Sequence, residues 1–156
     1  MLGPLIREVR PTDVPEVVTL LREILTEFGL RFGEGSATDE EVTRLPASYV
    51  DRGGAFWVAT DPSGPIVGTC GVFPIDETTY ELRKMYLSSA VRGQGVARLM
   101  LDACVSFARA RGVRRLVLDT THQMERAIAF YERNGFVRDD AQIRGARCSR
   151  GYVLEI

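Results

Sequence analysis

The stretch Arg92-Gly93-Gln94-Gly95-Val96-Ala97 decides the fold prediction, because it joins an apolar strand-like segment to a strongly periodic helix. Its two glycines let the backbone approach a ligand closely. The helix that begins behind them presents unpaired N–H groups and the positive end of its dipole. The stretch therefore predicts a cradle for a pyrophosphate group, with the Arg92 guanidinium at its mouth.

Apolar patterning on both sides of this stretch predicts the surrounding elements. The segment Thr79–Leu87 before it is predicted to be a strand, and the apolar positions from Val96 to Ala108 recur at helical steps of three and four until Gly112. The remaining pattern predicts strands at Ile6–Val9, Ala55–Thr60, Ile66–Phe73, Arg115–Asp119, Phe136–Arg138 and Cys148–Glu155, and a helix at Glu125–Asn134.

Two further helices are predicted from their start signals. Asp13 with Glu16, and Thr38 with Glu41, have the spacing of a capping box, in which the two side chains satisfy backbone N–H groups at the helix start. Pro46 is expected to end or kink the second of these helices. Both helices are expected to contribute to the binding of whatever substrate the domain takes.

The order of the elements indicates the fold class. Several consecutive strands are followed by alternating strands and helices, which favours an α/β (α+β) sandwich around a mostly antiparallel sheet. The length of 156 residues suits a single domain with a buried core, and we predict one domain over residues 1–156. Apolar residues at 45% and charged residues at 26% are ordinary values for a globular protein.

The composition argues against several classes of partner. A formal net charge of -1 gives no basic field that would attract nucleic acid, so none is expected. No apolar run approaches the roughly 20 residues of a spanning helix, so no membrane partner is expected. Cys70, Cys104 and Cys148 are odd in number and widely spaced, which is typical of reduced thiols in a cytoplasmic protein. The single histidine, His122, predicts no histidine-rich metal site.

Three kinds of phosphate-binding motif compete for the stretch Arg92–Ala97. A P-loop needs Gly-x-x-x-x-Gly-Lys followed by Ser or Thr, and the sequence contains no such string. A dinucleotide fingerprint needs a small residue three positions after Gly95, where the sequence has Arg98. The third pattern, Arg/Gln-x-x-Gly-x-Gly/Ala after a strand, fits without a mismatch. A glycine turn that merely begins a helix is the alternative without a ligand.

A second motif, Ala127-Ile128-Ala129-Phe130-Tyr131-Glu132-Arg133-Asn134-Gly135-Phe136, turns a helix into a strand at its glycine. Together with Arg92–Ala97 and the preceding strand Glu81–Leu87, it resembles the GNAT superfamily of acyl-CoA-dependent N-acetyltransferases. The resemblance covers Thr79–Phe136 by motif and the rest of the chain by element order. It implies a mixed, mostly antiparallel sheet of six to seven strands, flanked by about four helices.

The resemblance also implies acetyl-CoA as co-substrate and no metal. The strand backbone that would pair with the pantetheine amides belongs to Met85, Tyr86 and Leu87. The loop whose N–H groups would wrap the pyrophosphate consists of Arg92, Gly93, Gln94, Gly95, Val96 and Ala97. Family members often place an asparagine against the cofactor after the fifth-strand region, and the nearest substitute here is Gln123.

Two residues are candidates for catalysis. Tyr131 matches the family tyrosine that protonates the departing thiolate, and a phenol with a pKa near 10 is protonated at neutral pH. Its alternative role is that of a core aromatic beside Phe130. Glu81 lies where some family members carry a glutamate that serves as general base, although ordered water could deprotonate the amine instead. The alternative for Glu81 is a surface carboxylate paired with Arg83 or Lys84.

The predicted function is transfer of an acetyl group from acetyl-CoA to a primary amine of a small molecule or peptide, by direct attack in a ternary complex. A non-catalytic acyl-CoA-binding regulatory module and a transferase for a longer acyl group are the alternatives, and a homodimer is left open. The first two helices and the loop Gly29–Ser36 are expected to bind the acceptor. An anionic group on the substrate would suit a cluster of positive charge formed by Arg138, Arg144, Arg147 and Arg150.

Overall fold

Seven strands and four helices make up the computed structural model, which describes residues 3–156. The strands are β1 (Leu5–Glu8), β2 (Ala55–Thr60), β3 (Ile66–Pro74), β4 (Thr79–Leu87), β5 (Arg115–Thr120), β6 (Val137–Arg138) and β7 (Arg150–Glu155). The helices are α1 (Val14–Glu27), α2 (Ala47–Val50), α3 (Val96–Ala110) and α4 (Glu125–Arg133). Residues 1 and 2 of the predicted domain lie outside the described residues.

The strands form one open sheet in the order β1-β2-β3-β4-β5-β7-β6. Within residues 3–156, neighbouring strands are antiparallel except for β4 and β5, which run parallel. The predicted mixed and mostly antiparallel sheet of six to seven strands, flanked by about four helices, is therefore confirmed. The predicted strands and the predicted helices that correspond to α1, α3 and α4 agree with the observed ones to within about two residues, the usual spread of boundary assignments. The second predicted helix is only the short helical turn Glu40–Arg44, and α2, which follows Pro46, was not predicted.

Both faces of the sheet are covered, which is why β2 reads as a continuous apolar run. Trp57 and Ala59 belong to the core shared with α3, whereas Phe56 and Val58 belong to the core shared with α1. Successive strand residues point to opposite faces, so all four are buried. Burial of each large apolar side chain contributes about 1.5–3 kcal/mol to the stability of the fold. Because β2 and β3 are buried on both faces, they form a firmly packed centre beside β4.

The parallel strands β4 and β5 pair over only part of their length. Their register runs from Thr79 opposite Arg115 to Glu81 opposite Val117, and no further pair follows in the described residues. Strand β4 nevertheless continues to Leu87, and β5 continues to Thr120. The two strands therefore part after Glu81 and leave a gap in the middle of the sheet.

A β-bulge lies on β4 beside this gap. The β3–β4 register passes from Gly71 opposite Arg83 to Thr69 opposite Tyr86, so β4 carries one extra residue. Lys84, inside the bulge, has φ 55°, the only positive φ at a non-glycine residue in the described chain. A bulge bends a strand and redirects its side chains. It thus turns the second half of β4 away from β5.

The buried carboxylate of Asp39 holds the bulge to two loops. It accepts hydrogen bonds from the Lys84 ammonium at 2.5 Å, from the Arg147 guanidinium at 2.8 and 3.1 Å, and from the Gly33 backbone N–H at 2.7 Å. Burial alone would raise the pKa of Asp39, but the Lys84 charge and the hydrogen bonds from Arg147, Lys84 and Gly33 together lower it. The loop after α1, the bulge and the loop before β7 are thereby held together.

The predicted capping box of Asp13 and Glu16 is wrong. A single helical turn, Pro11–Asp13, leads into α1, and Pro15 lacks the N–H that an Asp13 cap would engage. The Asp13 carboxylate instead accepts a hydrogen bond from the backbone N–H of Arg10 at 2.7 Å. Glu16 accepts one from the backbone N–H of Ile66 at 2.6 Å, and so ties α1 to the sheet.

The second predicted capping box, Thr38 with Glu41, is also wrong. The Thr38 hydroxyl pairs with the Ser36 hydroxyl at 3.0 Å, and the Glu41 carboxylate pairs with Arg83 at 3.1 Å. Asp39, rather than Thr38, precedes the short helical turn Glu40–Arg44, and its carboxylate is already engaged by cations. Tertiary ion pairs have displaced the local cap.

We expect Asp39→Asn to lower the free energy of unfolding by about 3–5 kcal/mol, because it leaves the charges of Lys84 and Arg147 buried without their partner. Glu40→Gln is the matched control, since it removes only an exposed ion pair with Arg44 and should cost less than about 1 kcal/mol. Urea denaturation measures both. Equal stability of the two variants would contradict the role of Asp39.

The pH dependence gives an independent check of the same variant. The pKa of Asp39 is lower in the folded chain than its ordinary value of 3.8. Its stabilisation is therefore present above pH 3.8 and is lost as the pH falls through the lowered folded value. The stability difference between the wild type and Asp39→Asn should consequently shrink in acid.

Candidate functional site

A cleft of about 570 Å³ opens between the second half of β4, the start of α3 and helix α4. It contains most of the residues that the sequence assigned to a cofactor, namely Met85, Tyr86, Leu87, Arg92, Gly93, Gly95, Val96 and Ala97. Strand β4 forms its wall because β5 has parted from it. We refer to this space as the donor cleft.

The glycine loop at the donor cleft has the conformation that the motif predicted. Gly93 has φ 76° and Gly95 has φ 82°, in the left-handed region that favours glycine. A Cβ atom at either position would meet nothing within 4 Å, so the space beside the loop is open. Gly95 precedes α3 and offers no side chain to cap it. The first N–H groups of α3 are therefore available to an anion.

Arg92 lies on the wall of this cleft and is bound to α1. Its guanidinium donates to the Leu87 carbonyl at 3.1 Å and to the Glu27 carboxylate, with one Nη2–Oε1 distance of 3.0 Å. It also lies over the Phe28 ring at 5.5 Å. The hydrogen bond from Arg92 lowers the pKa of Glu27. An anion in the donor cleft would compete with Glu27 for this guanidinium.

Three further arginines line the donor cleft, and sequence reasoning did not assign them to it: Arg98, Arg126 and Arg133. Arg98 donates to Asp102 at 3.0 Å and to the Asn134 side-chain oxygen at 2.6 Å. Asn134 also lines the cleft, and its amide nitrogen donates to the Phe130 carbonyl at 2.8 Å. Arg98 lies in the first turn of α3, and Arg126 and Arg133 lie on α4. Their positions on the two helices beside the glycine loop could have assigned them to the cleft from the sequence.

Gln94 and Gln123 are the predicted cofactor residues that do not line the donor cleft. Gln94 is exposed, and its side-chain nitrogen donates to the Ala90 carbonyl at 3.0 Å. Gln123 is also exposed and pairs with the Thr121 hydroxyl. The amide side chain that the fold places at the cleft is that of Asn134. This geometry does not support the prediction that Gln123 takes the place of the asparagine that contacts the cofactor in other family members.

A second, smaller cleft of about 210 Å³ adjoins the donor cleft. Four residues line both: Met85, Tyr86, Met124 and Tyr131. The second cleft alone is lined by Glu81 and by loop residues 36–38, 144–145 and 147–148. The two clefts therefore meet at the gap between β4 and β5. We refer to the smaller one as the acceptor cleft.

Tyr131 lies at the meeting point of the two clefts. Its ring packs edge-on against Phe130 and Phe136, with centroids 5.8 and 5.4 Å away, and its residue is only 5% exposed. Burial raises the pKa of Tyr131 well above the ordinary 10, so the hydroxyl is neutral across the physiological range. No hydrogen bond to that hydroxyl is present among residues 3–156. The hydroxyl is therefore a free donor on a residue that lines both clefts.

Glu81 lies in the acceptor cleft, where it is only 4% exposed and thus is not a surface carboxylate. Its carboxylate pairs with the Arg83 guanidinium, and with that of Arg144 at 3.4 Å. Arg83 is itself fixed by Glu41 at 3.1 Å and lies over the Phe73 ring at 4.0 Å. Burial next to cations fits a carboxylate held in one position rather than a solvated one.

Cys148 also lines the acceptor cleft, yet its thiol is a poor nucleophile. Burial, with the nearby Asp119 carboxylate, raises the pKa of Cys148 to about 12. In the described part of the chain, no group of three His, Cys, Asp or Glu side chains is placed to hold a metal ion. No helix in residues 3–156 is long and apolar enough to cross a membrane.

Comparison with known proteins gives one consistent result. The model of the acetyltransferase (GNAT) family matches residues 18–136 of the chain. YjgM of Escherichia coli (strain K12), named as an uncharacterized N-acetyltransferase, is 33% identical over an alignment of 142 residues that covers 88% of this chain and 84% of that protein.

Solved structures agree with this match. An acetyltransferase from Streptococcus agalactiae superposes with a TM-score of 0.86 at 26% identity, over 100% of both chains. The PaiA N-acetyltransferase from Thermoplasma acidophilum, solved in complex with coenzyme A, superposes with a TM-score of 0.80 over 99% of this chain and 100% of that one. Its identity of 17% makes it a likeness of fold alone.

The neutral state of Tyr131 can be tested by alkaline titration. Because burial raises the pKa of Tyr131, replacement by Phe should leave the tyrosinate absorbance of the folded protein unchanged up to a pH of about 11. In denaturant, the wild type should ionise its five tyrosines and the variant four. A one-tyrosine loss from the folded curve below that pH would show that Tyr131 ionises normally.

Proposed function

The chain belongs to the acetyltransferase (GNAT) family and is an acyltransferase enzyme, and from this premise we propose that it transfers an acetyl group from acetyl-CoA to a primary amine of a small molecule or peptide. The observation that carries the proposal is the meeting of two clefts at Tyr131, through the gap between β4 and β5. A thioester on one side and an amine on the other can react there without a covalent enzyme intermediate.

The donor cleft suits the chemical parts of coenzyme A. Its glycine loop and the start of α3 offer N–H groups to the pyrophosphate, and Arg92, Arg98, Arg126 and Arg133 supply positive charge for the phosphates. Residues 85–87 of β4 have no strand partner on the β5 side in the described chain. Pantetheine amides can pair with their backbone as an added strand would. The PaiA neighbour solved with coenzyme A supports the choice of this ligand.

The chemistry is attack of a neutral amine on the thioester carbonyl. A C–N bond forms and the C–S bond breaks. The amine proton passes to Glu81 or to ordered water, and the sulfur takes a proton from the Tyr131 hydroxyl, which solvent then reprotonates. Tyr131 is a neutral donor, so it stabilises the charge that develops on the departing sulfur through a hydrogen bond. The family resemblance implies that this hydroxyl also donates its proton to the sulfur, and the raised pKa of Tyr131 keeps that proton in place until the thiolate forms.

Glu81 is our candidate for receiving the amine proton, directly or through ordered water. It lies in the acceptor cleft at the last paired position of β4, immediately before the gap opens. Its pairs with Arg83 and Arg144 keep the carboxylate oriented toward that cleft. A fixed carboxylate also attracts the substrate ammonium before deprotonation. Positioning of the two reactants supplies much of the remaining rate, up to about 7–11 kcal/mol of the barrier.

Gly95→Glu should abolish binding of acetyl-CoA, because it places a carboxylate against the pyrophosphate and a side chain at φ 82°. Gly112→Glu is the matched control: it has φ 77°, lies just beyond the other end of α3, and its Cβ would also meet nothing within 4 Å. Isothermal calorimetry measures binding. Wild-type affinity in Gly95→Glu, or equal loss in both variants, would contradict the pyrophosphate site.

Tyr131→Phe should lower kcat by about tenfold or more while leaving acetyl-CoA affinity near the wild-type value, since it removes one hydrogen bond formed as charge develops. Glu81→Gln should lower kcat/KM for the amine, because it removes the carboxylate that receives the amine proton. Thiol release from acetyl-, propionyl- and butyryl-CoA measures turnover and acyl preference. Unchanged turnover in Tyr131→Phe would make Tyr131 a packing residue only.

A further inference from the structure

We infer that the amine acceptor is a free amino acid or a close analogue, whose carboxylate binds to Arg144 and whose amino group faces Glu81. This inference rests on the proposed function, because it assigns a substrate class to the acceptor cleft. It follows from the state of each charged side chain that lines this cleft.

The other cations of the acceptor cleft already have partners. Lys84 and Arg147 share the buried carboxylate of Asp39. Arg83 is held between Glu81 and Glu41 and is only 13% exposed in its side chain. These groups are therefore fixed parts of the wall, and none can turn toward a ligand without leaving a buried charge unpaired.

Arg144 differs from them in both exposure and pairing. Its side chain is 40% exposed, and its guanidinium makes contacts of 3.4 Å with Glu81 and with the Gln142 carbonyl. Charge-assisted hydrogen bonds of this kind are normally about 2.7–2.9 Å long. Most of the five donors of the guanidinium are thus available to a ligand.

The backbone around Arg144 is nevertheless held in place. The Asp119 carboxylate accepts hydrogen bonds from the backbone N–H groups of Arg144 and Gly145, both at 2.7 Å. Asp119 also lines the cleft, but these two hydrogen bonds hold its carboxylate against the loop that carries Arg144. A fixed backbone with a free guanidinium is the arrangement that a carboxylate-binding arginine requires.

The charges that remain match those of an amino acid. One carboxylate, Glu81, and one guanidinium, Arg144, are neighbours in the same cleft, so a ligand that carries an ammonium and a carboxylate a few atoms apart can engage both. The ligand carboxylate would take over the Arg144 guanidinium, leaving Glu81 with Arg83 and the ammonium. The volume of about 210 Å³ is below the ~300–1,000 Å³ typical of drug-sized ligands, which favours one amino acid over a peptide.

The inference predicts a preference between matched pairs of acceptors. Phenylalanine with phenethylamine, leucine with isoamylamine, histidine with histamine and serine with ethanolamine differ only in the carboxylate. Thiol release from acetyl-CoA gives kcat/KM for each compound. The amino acid should exceed its decarboxylated partner by about tenfold or more in at least one pair, because a charge-assisted bidentate contact is lost in the partner.

Substitution of the arginine tests the assignment of the contact. In Arg144→Gln the ratio of kcat/KM between the amino acid and its decarboxylated partner should fall about tenfold, chiefly through KM for the amino acid, and Arg144→Lys should restore part of it. Arg138→Gln is the control, since Arg138 pairs with Asp140 and does not line the cleft. Its ratio should equal that of the wild type.

The outcomes separate this inference from the function on which it rests. Acetyl-CoA binding is measured first and without any amine, so its absence overturns the proposed function itself. If acetyl-CoA binds but the decarboxylated amines are turned over as well as the amino acids, the inference is wrong. It is equally wrong if the coenzyme A complex neither acetylates nor binds any of the four amino acids in calorimetry, or if Arg144→Gln leaves the ratio unchanged.

Discussion

The parting of β4 from β5 after Glu81 is the constraint on which the site depends. A strand in the middle of a sheet normally has both rows of backbone groups paired, yet in the described chain the second half of β4 lacks partners on the β5 side. Such groups need water or a ligand. The gap also joins the two clefts, so the same departure from regular pairing provides both an unpaired strand edge and a passage between the clefts.

The bulge at Lys84, which turns β4 away from β5, costs free energy by itself. Lys84 adopts φ 55°, a conformation that costs about 1–3 kcal/mol at a non-glycine residue, and its ammonium is buried. Burial lowers the pKa of Lys84, while the adjacent Asp39 carboxylate opposes that shift. Asp39 then also holds Arg147, so one carboxylate offsets the charges of two cations from distant parts of the chain. The ion pairs of Asp39 therefore fix the bulge and also hold one wall of the acceptor cleft in place.

The donor half of the site was predictable because its residues are contiguous. The run Arg92–Ala97 carries its own turn, glycine conformations and helix start, and the structure forms these from the same residues. The capping boxes failed for the opposite reason. Asp13 and Thr38 each have the spacing of a cap, but other partners engage them or the residue beside them. Asp13 pairs with Arg7, Thr38 pairs with Ser36, and the adjacent Asp39 pairs with Lys84. Spacing in a sequence cannot reveal a partner that lies 108 residues away, as Arg147 lies from Asp39.

The same distinction explains why the acceptor was out of reach of sequence reasoning. Arg138, Arg144, Arg147 and Arg150 are indistinguishable as a cluster of positive charge in the sequence, but the fold gives them different surroundings. Arg138 pairs with Asp140 away from the cleft, and Arg147 is held by Asp39. Arg150 does not line the cleft, and Arg144 alone among the four combines a place in the cleft wall with an exposed, weakly paired guanidinium. Which cation is left available to a ligand thus depends on the partners that the fold gives to the others, and a count of arginines cannot supply that information.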